Sequence, residues 1–174
     1  MLTLVVGGAG SGKSAYAESL LLRTQASRRI YAATMEPYGA EAAERIARHR
    51  AMRQGKGFET IECYVNLSRL ALPPDSAVLL EDMGNLCANE LFSPQGAGDV
   101  AAEIVLRGIA QLKRQCRDLV IVSNEVFTGG TNYAGDTLHY LSVLSYVNRK
   151  LASMADTVCE VGGGLPMYYK GVEV

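Results

Sequence analysis

The sequence predicts an α/β fold in which a mostly parallel sheet has helices on both faces. Short apolar runs of strand length alternate with segments of helical periodicity along the whole chain. The apolar runs are nearly continuous, which is typical of strands buried on both faces of a parallel sheet. With 174 residues, of which 48% are hydrophobic, the chain is expected to form one domain spanning residues 1–174.

Seven strands are predicted, each from a short and mainly apolar run. A glycine stretch, Gly162 to Gly164, interrupts the last two runs and separates them into two strands. The predicted strands are Leu2 to Val6, Arg29 to Ala33, Glu59 to Cys63, Ala77 to Glu81, Leu119 to Ser123, Thr157 to Val161 and Met167 to Lys170.

Five helices are predicted between these strands from the spacing of their apolar residues. In the last helix, Tyr140, Leu144 and Val147 form an apolar stripe that is expected to face the core or another subunit. Two loops rich in glycine and polar residues, Ser93 to Gly98 and Thr128 to Asp136, are the expected rims of a substrate site. The predicted helices are Lys13 to Arg23, Ala40 to Arg53, Gly84 to Phe92, Val100 to Cys116 and Thr137 to Ala155.

The composition argues against several classes of partner and site. Acidic and basic residues nearly balance to a net charge of −1 and are mixed along the chain, so neither nucleic acid nor an anionic membrane is an expected partner. The four cysteines lie far apart without a CxxC pair, and structural zinc is not expected. No segment approaches the ~20 apolar residues of a membrane span, and the amino terminus lacks the features of a signal peptide. A cytoplasmic protein without stable membrane insertion is expected.

The first predicted strand runs directly into a glycine-rich turn with the sequence GGAGSGKS. Glycines allow successive backbone amides to turn toward one anion, and the helix that follows adds the positive end of its dipole. This order of strand, turn and helix is that of the phosphate-binding P-loop, so the sequence predicts a P-loop NTPase-like fold that binds a nucleoside triphosphate. The predicted nucleotide-binding residues are Gly7, Gly8, Ala9, Gly10, Ser11, Gly12, Lys13, Ser14 and Glu81.

A magnesium site is predicted beside this turn. In a P-loop the lysine, here Lys13, meets the β and γ phosphates, and the next hydroxyl, here Ser14, is a ligand of Mg²⁺. The apolar strand from Ala77 ends in Glu81 and Asp82, and an acid at that point can hold the metal directly or through water. Glu81 is the first candidate and Asp82 the second. The alternative is that both are surface acids at a strand end.

The second predicted helix carries a histidine between two arginines. Arg45, His49 and Arg53 are spaced i, i+4, i+8 and therefore line one face. Such a face attracts phosphate, and the neighbouring cations disfavour the imidazolium, which keeps His49 available as a neutral nucleophile or base. The alternative is a solvated basic helix supported by pairing of Glu41 with Arg45.

Two polar residues, Asn124 and Glu125, follow the buried strand that ends at Ser123. In doubly wound folds this position opens onto the ligand crevice, so both are candidates for binding hydroxyl or amide groups of a substrate. The alternative is that Glu125 caps the following turn. His139 has no acidic or cysteine partner at ligand spacing, and it is predicted to be a packed or hydrogen-bonded helix residue without a chemical role.

These motifs, in this order, resemble the bifunctional adenosylcobinamide kinase/adenosylcobinamide-phosphate guanylyltransferase family. The resemblance is carried by the P-loop, the helix segment RIARHR from Arg45 with Arg53, the strand VLLED, the later SNEV, and Asn148 with Asp156. It spans most of the chain. The RIxxH helix together with NEV is its most specific part.

The resemblance implies two reactions of cobalamin nucleotide-loop assembly, with Mg²⁺ as cofactor. The first is phosphorylation of adenosylcobinamide by GTP or ATP, and the second is transfer of GMP from GTP to the resulting phosphate. The histidine of the RIxxH helix is the guanylylated residue of the family, which makes His49 the covalent nucleophile here. Lys13 would neutralise the leaving pyrophosphate, and Arg45 or Arg53 would stabilise charge around the transferred phosphorus. A homo-oligomer, a trimer, is also implied.

The chain departs from the family pattern at three places. Gly10 stands where an arginine is usual, Phe127 to Tyr133 replaces the glycine and VP pattern expected after NEV, and Leu141 to Val147 lacks the usual arginine, aspartate and glycine. The departures fall where the second substrate and subunit contacts are expected. Two alternative functions follow: a P-loop kinase of another small alcohol, in which His49 only binds phosphate, and a non-catalytic GTP-binding regulatory module.

Overall fold

A computed structural model, which describes residues 1–126 and 133–172, contains a sheet of seven strands. The order across the sheet is third, second, fourth, fifth, first, sixth, seventh, and every neighbouring pair is parallel except the last, which is an antiparallel hairpin. The mostly parallel sheet is therefore confirmed. The strands are β1 (Leu2–Gly7), β2 (Arg28–Ala33), β3 (Phe58–Glu62), β4 (Ser76–Glu81), β5 (Asp118–Asn124), β6 (Thr157–Gly162) and β7 (Leu165–Lys170).

Within the described residues, five α-helices connect the strands, and four of them form the two outer layers. They are α1 (Lys13–Leu22), α2 (Gly39–Arg53), α3 (Met83–Phe92), α4 (Ala101–Gln115) and α5 (Gly135–Met154). Helix α1 packs on one face through Ala17 and Leu21. Helices α3, α4 and α5 pack on the other through residues such as Leu86, Ile109 and Leu144. Helices on both faces are thus confirmed, and no helix of the described residues is long and apolar enough to span a membrane.

The predicted elements all occur, and their ends differ from the prediction by at most two residues. Two short 3₁₀ helices, Leu67–Arg69 and Gly98–Val100, were not predicted because three residues are too few to show a period. The predicted loop Thr128 to Asp136 lies largely outside the described residues, and its last two residues begin α5. The prediction of a packed His139 is wrong, since that residue is exposed on α5.

Helix α2 differs from the others because it belongs to neither layer. Of its fifteen residues only Arg53 is buried. Just beyond its end, the ammonium group of Lys56 lies 2.6 Å from a carboxylate oxygen of Glu18 on α1. The Glu18 side chain is fully buried, whereas Lys56 remains about a third exposed. Polar contacts near its carboxyl end therefore attach α2 to the rest of the molecule.

Parallel neighbours bring three segments to one edge of the sheet. Strands β4, β5 and β1 lie side by side and run in the same direction, so their last residues Glu81, Asn124 and Gly7 end at the same edge. The P-loop starts at Gly7. This edge carries the candidate site, as expected for the carboxyl ends of strands in an open α/β sheet.

Removing Lys56 should leave a buried carboxylate without its partner. We expect Lys56→Met to lower the free energy of unfolding by about 3 kcal/mol, because it removes the ion-pair partner of a fully buried carboxyl group. The matched control is Arg50→Met, which breaks a pair with Glu62 that is exposed on both sides and should lower stability by less than about 1 kcal/mol. Urea unfolding followed by circular dichroism measures both. Equal losses of unfolding free energy in the two variants would show that the burial of Glu18 does not strengthen the effect.

Candidate functional site

The glycine-rich turn forms a compact loop between β1 and α1. Gly10 and Gly12 have φ angles of 70° and 91°, a left-handed region that glycine adopts without strain. The backbone amide of Ser11 and the ammonium group of Lys13 both donate to the carbonyl oxygen of Gly8, the latter at 3.0 Å. Gly12 directly precedes α1, where unpaired backbone amides and the helix dipole attract anions. The loop has the geometry of a phosphate-binding site.

The hairpin between β6 and β7 supports this loop, a contact that the sequence analysis missed. The backbone amide of Gly164 donates to the carbonyl oxygen of Ser11 at 2.8 Å. A Cβ atom on Gly12 would lie 3.0 Å from the Cα atom of Gly164. Glycine at position 12 is therefore required both for the turn and for this close approach of two backbones.

Glu81 lies against the P-loop at the carboxyl end of β4. One of its carboxylate oxygens accepts a hydrogen bond from the Ser14 hydroxyl, and the other is buried without a partner among the described residues. Burial raises the pKa of Glu81 to about 7; the Ser14 hydrogen bond opposes this rise and the nearby Asp82 adds to it.

The donor set of Ser14 and Glu81 fits Mg²⁺, which prefers oxygen ligands. No group of three or more His, Cys, Asp or Glu side chains that could hold a metal occurs in the described parts of the chain. Phosphate oxygens and water would therefore complete the coordination, as is usual for Mg²⁺ at a triphosphate.

Asp82, the second metal candidate, serves as the N-cap of α3. Its two carboxylate oxygens accept from the backbone amide of Asn85 at 2.7 Å and from the side-chain amide of Asn85 at 2.9 Å. Both carboxylate oxygens of Asp82 are therefore hydrogen-bonded, whereas one oxygen of Glu81 has no hydrogen-bond partner among the described residues.

Helix α2 brings His49 next to the same carboxylate. The Nδ1 atom of His49 lies 3.5 Å from Oε1 of Glu81 and has no hydrogen-bond partner among the described residues. Burial, together with the guanidinium groups of Arg53 and Arg45, lowers the pKa of His49 and favours the neutral ring. When the neutral ring carries its proton on Nδ1, beside the carboxylate, Nε2 keeps a free lone pair.

The three basic residues predicted to share one face of α2 line two pockets in the structure, and His49 lines both. Arg45 and His49 line a cleft with the P-loop, and Arg48, which was not predicted, lines it with them. Arg53 lies with its guanidinium carbon 3.3 Å from the centre of the Tyr31 ring and, together with His49, lines a smaller cavity of about 40 Å³. Arg45 and Arg53 thus lie on either side of His49 along α2, and the role of one or the other at the transferred phosphorus stays a prediction.

The P-loop cleft has a volume of about 540 Å³ and is lined by the P-loop, α2, the end of β4 and Asn124. Burial lowers the pKa of its lysine, Lys13, while the charges of Asp82 and Glu81 oppose that shift. The backbone amide of Glu125 donates to the carbonyl oxygen of Gly7 at 3.0 Å, but the side chain of Glu125 is not among those lining the cleft. Of the two predicted substrate residues, only Asn124 lines the cleft.

Comparison with known proteins agrees with the sequence motifs. Residues 3–169 match the protein family described as cobinamide kinase / cobinamide phosphate guanyltransferase. The bifunctional adenosylcobalamin biosynthesis protein CobU of Salmonella typhimurium is 34% identical over 98% of this chain and 100% of that protein. The Escherichia coli protein of the same name is 32% identical with the same coverage.

Solved structures are similar in fold alone. The flagellar accessory protein FlaH from Methanocaldococcus jannaschii aligns with a TM-score of 0.53 at 12% identity, covering 97% of this chain and 77% of that protein. The seven-stranded sheet, with its P-loop between β1 and α1, is thus a P-loop NTPase-like fold.

The raised pKa of Glu81 predicts an unusual pH dependence of stability without metal or nucleotide. Between its ordinary pKa of 4.5 and about 7, the folded state binds a proton that the unfolded state has lost, so stability falls as the pH rises. We expect the wild-type protein to lose about 3 kcal/mol relative to Glu81→Gln across this window. Urea unfolding at several pH values measures the difference. If the unfolding free energies of the two proteins change in parallel above pH 4.5, the pKa of Glu81 is not raised.

Proposed function

The chain belongs to the cobinamide kinase/cobinamide phosphate guanyltransferase family, and we propose that its P-loop cleft carries out both reactions through the residues described above. The protein is an enzyme of adenosylcobalamin biosynthesis with kinase and guanylyltransferase activity. The observation that carries the residue assignment is the position of His49, which lines the P-loop cleft with Nδ1 3.5 Å from Glu81. Phosphoryl transfer to an alcohol needs no nucleophilic side chain, whereas a covalent nucleotidyl intermediate does, and His49 can supply one.

In the kinase reaction, GTP or ATP lies with its β and γ phosphates in the P-loop. The hydroxyl of cobinamide attacks the γ phosphorus, and the bond from that phosphorus to the bridging oxygen breaks. Lys13 and the loop amides stabilise the charge on the leaving nucleoside diphosphate. Mg²⁺, held by Ser14 and Glu81, would supply further positive charge at the phosphate oxygens. Asn124, at the edge of the same cleft, is placed to hydrogen-bond the acceptor.

In the guanylyl transfer, the Nε2 atom of His49 attacks the α phosphorus of GTP. The new N–P bond replaces the bond to the bridging oxygen, and pyrophosphate leaves into the P-loop, where Lys13 lies. The ring keeps its Nδ1 proton and gains a positive charge, which the carboxylate of Glu81 stabilises from 3.5 Å. A phosphate oxygen of cobinamide phosphate then attacks the same phosphorus. The N–P bond breaks, its electron pair returns to the ring, and GDP-linked cobinamide leaves.

The trimer implied by the family resemblance remains part of this proposal. Leu165, Met167 and Tyr169 project from the edge strand β7 with 76%, 63% and 63% of their surfaces exposed. Exposed apolar side chains at a sheet edge favour coverage by another copy of the chain.

Radiolabel transfer tests the covalent step. We expect the wild-type protein with Mg²⁺ and GTP labelled at the α phosphorus to acquire an acid-labile label, because phosphorus bound to an imidazole nitrogen hydrolyses in acid. His49→Ala should take up none. The matched control is His139→Ala, which changes an exposed histidine on α5 and should label like the wild type. Undiminished label in His49→Ala would exclude that residue as the nucleophile.

The two activities should separate by substitution. We expect His49→Ala to phosphorylate cobinamide within about threefold of the wild-type rate, because the γ transfer relies on the P-loop. Lys13→Ala should lose both activities, by at least about 100-fold, since its ammonium group serves both leaving groups. Chromatographic analysis of phosphorylated and GDP-linked products measures each step. Kinase activity without any label in the wild type would favour a simple P-loop kinase, and nucleotide binding without either product would favour a regulatory module.

A further inference from the structure

The P-loop cleft contains two arginines that the mechanism above does not use. Arg45 and Arg48 both line the cleft from α2 and are both exposed. Among the described residues, neither has a carboxylate oxygen within ion-pair distance. Arg50, by contrast, lies 3.1 Å from Glu62 and does not line the cleft. Two unneutralised guanidinium groups therefore face the space beside His49.

We propose that Arg48 binds the phosphate monoester of the acceptor during guanylyl transfer. The inference rests on the proposed function, because it concerns the second half of the reaction, in which guanylylated His49 meets the phosphorylated acceptor. Arg48 forms and breaks no covalent bond in this step. It holds the attacking phosphate group while the P–O bond forms and the N–P bond to His49 breaks.

The positions of the two arginines along α2 assign them different phosphates. Arg45 lies one helical turn after Glu41 and one turn before His49, and all three line the cleft. Arg48 lies in the neighbouring row of α2, one turn before Met52, which also lines the cleft. The geometry therefore assigns Arg45, in the row of His49, to the nucleotide that His49 attacks, and Arg48, beside the apolar Met52, to the phosphate of the acceptor.

The charge balance of the second half-reaction requires such a cation. A phosphate monoester with a charge of about −2 must approach a phosphorus atom that already carries anionic oxygens, and like charges at contact distance repel strongly. Arg53 lies on the Tyr31 ring, and Arg50 is paired. Arginine also binds phosphate through two parallel hydrogen bonds, which orient the attacking oxygen.

The surroundings of Arg48 fit an acceptor with a large organic body. Met52 lies one helical turn beyond Arg48 and lines the same cleft. An apolar thioether beside a guanidinium group offers one surface for the phosphate and another for the organic part of the molecule.

Single-turnover transfer tests this assignment. Wild-type protein and Arg48→Ala are first guanylylated with α-labelled GTP, freed of nucleotide, and then mixed with increasing concentrations of cobinamide phosphate. We expect Arg48→Ala to take up label within about twofold of the wild type. The concentration of acceptor that gives half-saturation should rise about 10- to 100-fold, which is the range expected for the loss of a charge-assisted hydrogen bond. Arg48→Lys should recover part of the loss. The matched control, Arg50→Ala, should behave like the wild type in both steps.

The outcomes separate the inference from the proposed function. A normal half-saturating concentration in Arg48→Ala would overturn the role of Arg48 alone. If labelling and transfer to the acceptor decline together in Arg48→Ala, Arg48 acts on the nucleotide, and its proposed role in acceptor binding is overturned as well. Failure of the wild-type protein to become labelled would contradict the covalent mechanism itself, and the inference would fall with it.

Discussion

The buried carboxylate of Glu81 is the point at which the P-loop and helix α2 meet. The Ser14 hydroxyl donates to its Oε1 atom, and Nδ1 of His49 lies 3.5 Å from the same oxygen. Strand β4 fixes its position, because every residue of that strand is buried in the middle of the sheet. A carboxylate in this environment needs a proton, a metal ion or a cationic ring beside it. The position of Glu81 therefore couples the phosphate site to the nucleophile.

The two halves of the site differ in how firmly the fold holds them. The P-loop, Glu81 and Asn124 sit at the ends of central parallel strands, where the backbone is fixed by neighbours on both sides. Helix α2 has only Arg53 buried and is held near its carboxyl end by contacts with Tyr31 and Glu18. Few buried contacts give low local stability. In the proposed mechanism, the kinase reaction relies on the firmly held half, and guanylyl transfer adds residues from α2.

Local signals in the sequence were sufficient to predict the elements and the P-loop, because strand runs and glycine-rich turns are short-range patterns. The meeting of Glu81 with Ser14 also followed from sequence, since parallel strands end at one edge. Contacts between distant segments could not be predicted in this way. Two examples are the hydrogen bond from Gly164 to the P-loop and the ion pair of the buried Glu18 with Lys56. The role predicted for Arg45 or Arg53 at the transferred phosphorus depends on which side chains share a pocket with His49, and helical spacing alone does not determine that.

The departure at Gly10 changes where the cleft obtains its positive charge. The related pattern has an arginine at this position, but Gly10 has a φ angle of 70° and no atom within 4 Å of where its Cβ would lie. The P-loop then contributes one cationic side chain, Lys13, and the remaining guanidinium groups of the cleft, Arg45 and Arg48, come from α2. In the proposed mechanism, Lys13 lies next to the leaving phosphates in both reactions. Under that proposal, charge beside the α phosphorus and the acceptor comes from Arg45 and Arg48 on the helix that carries His49, which ties the second activity to α2.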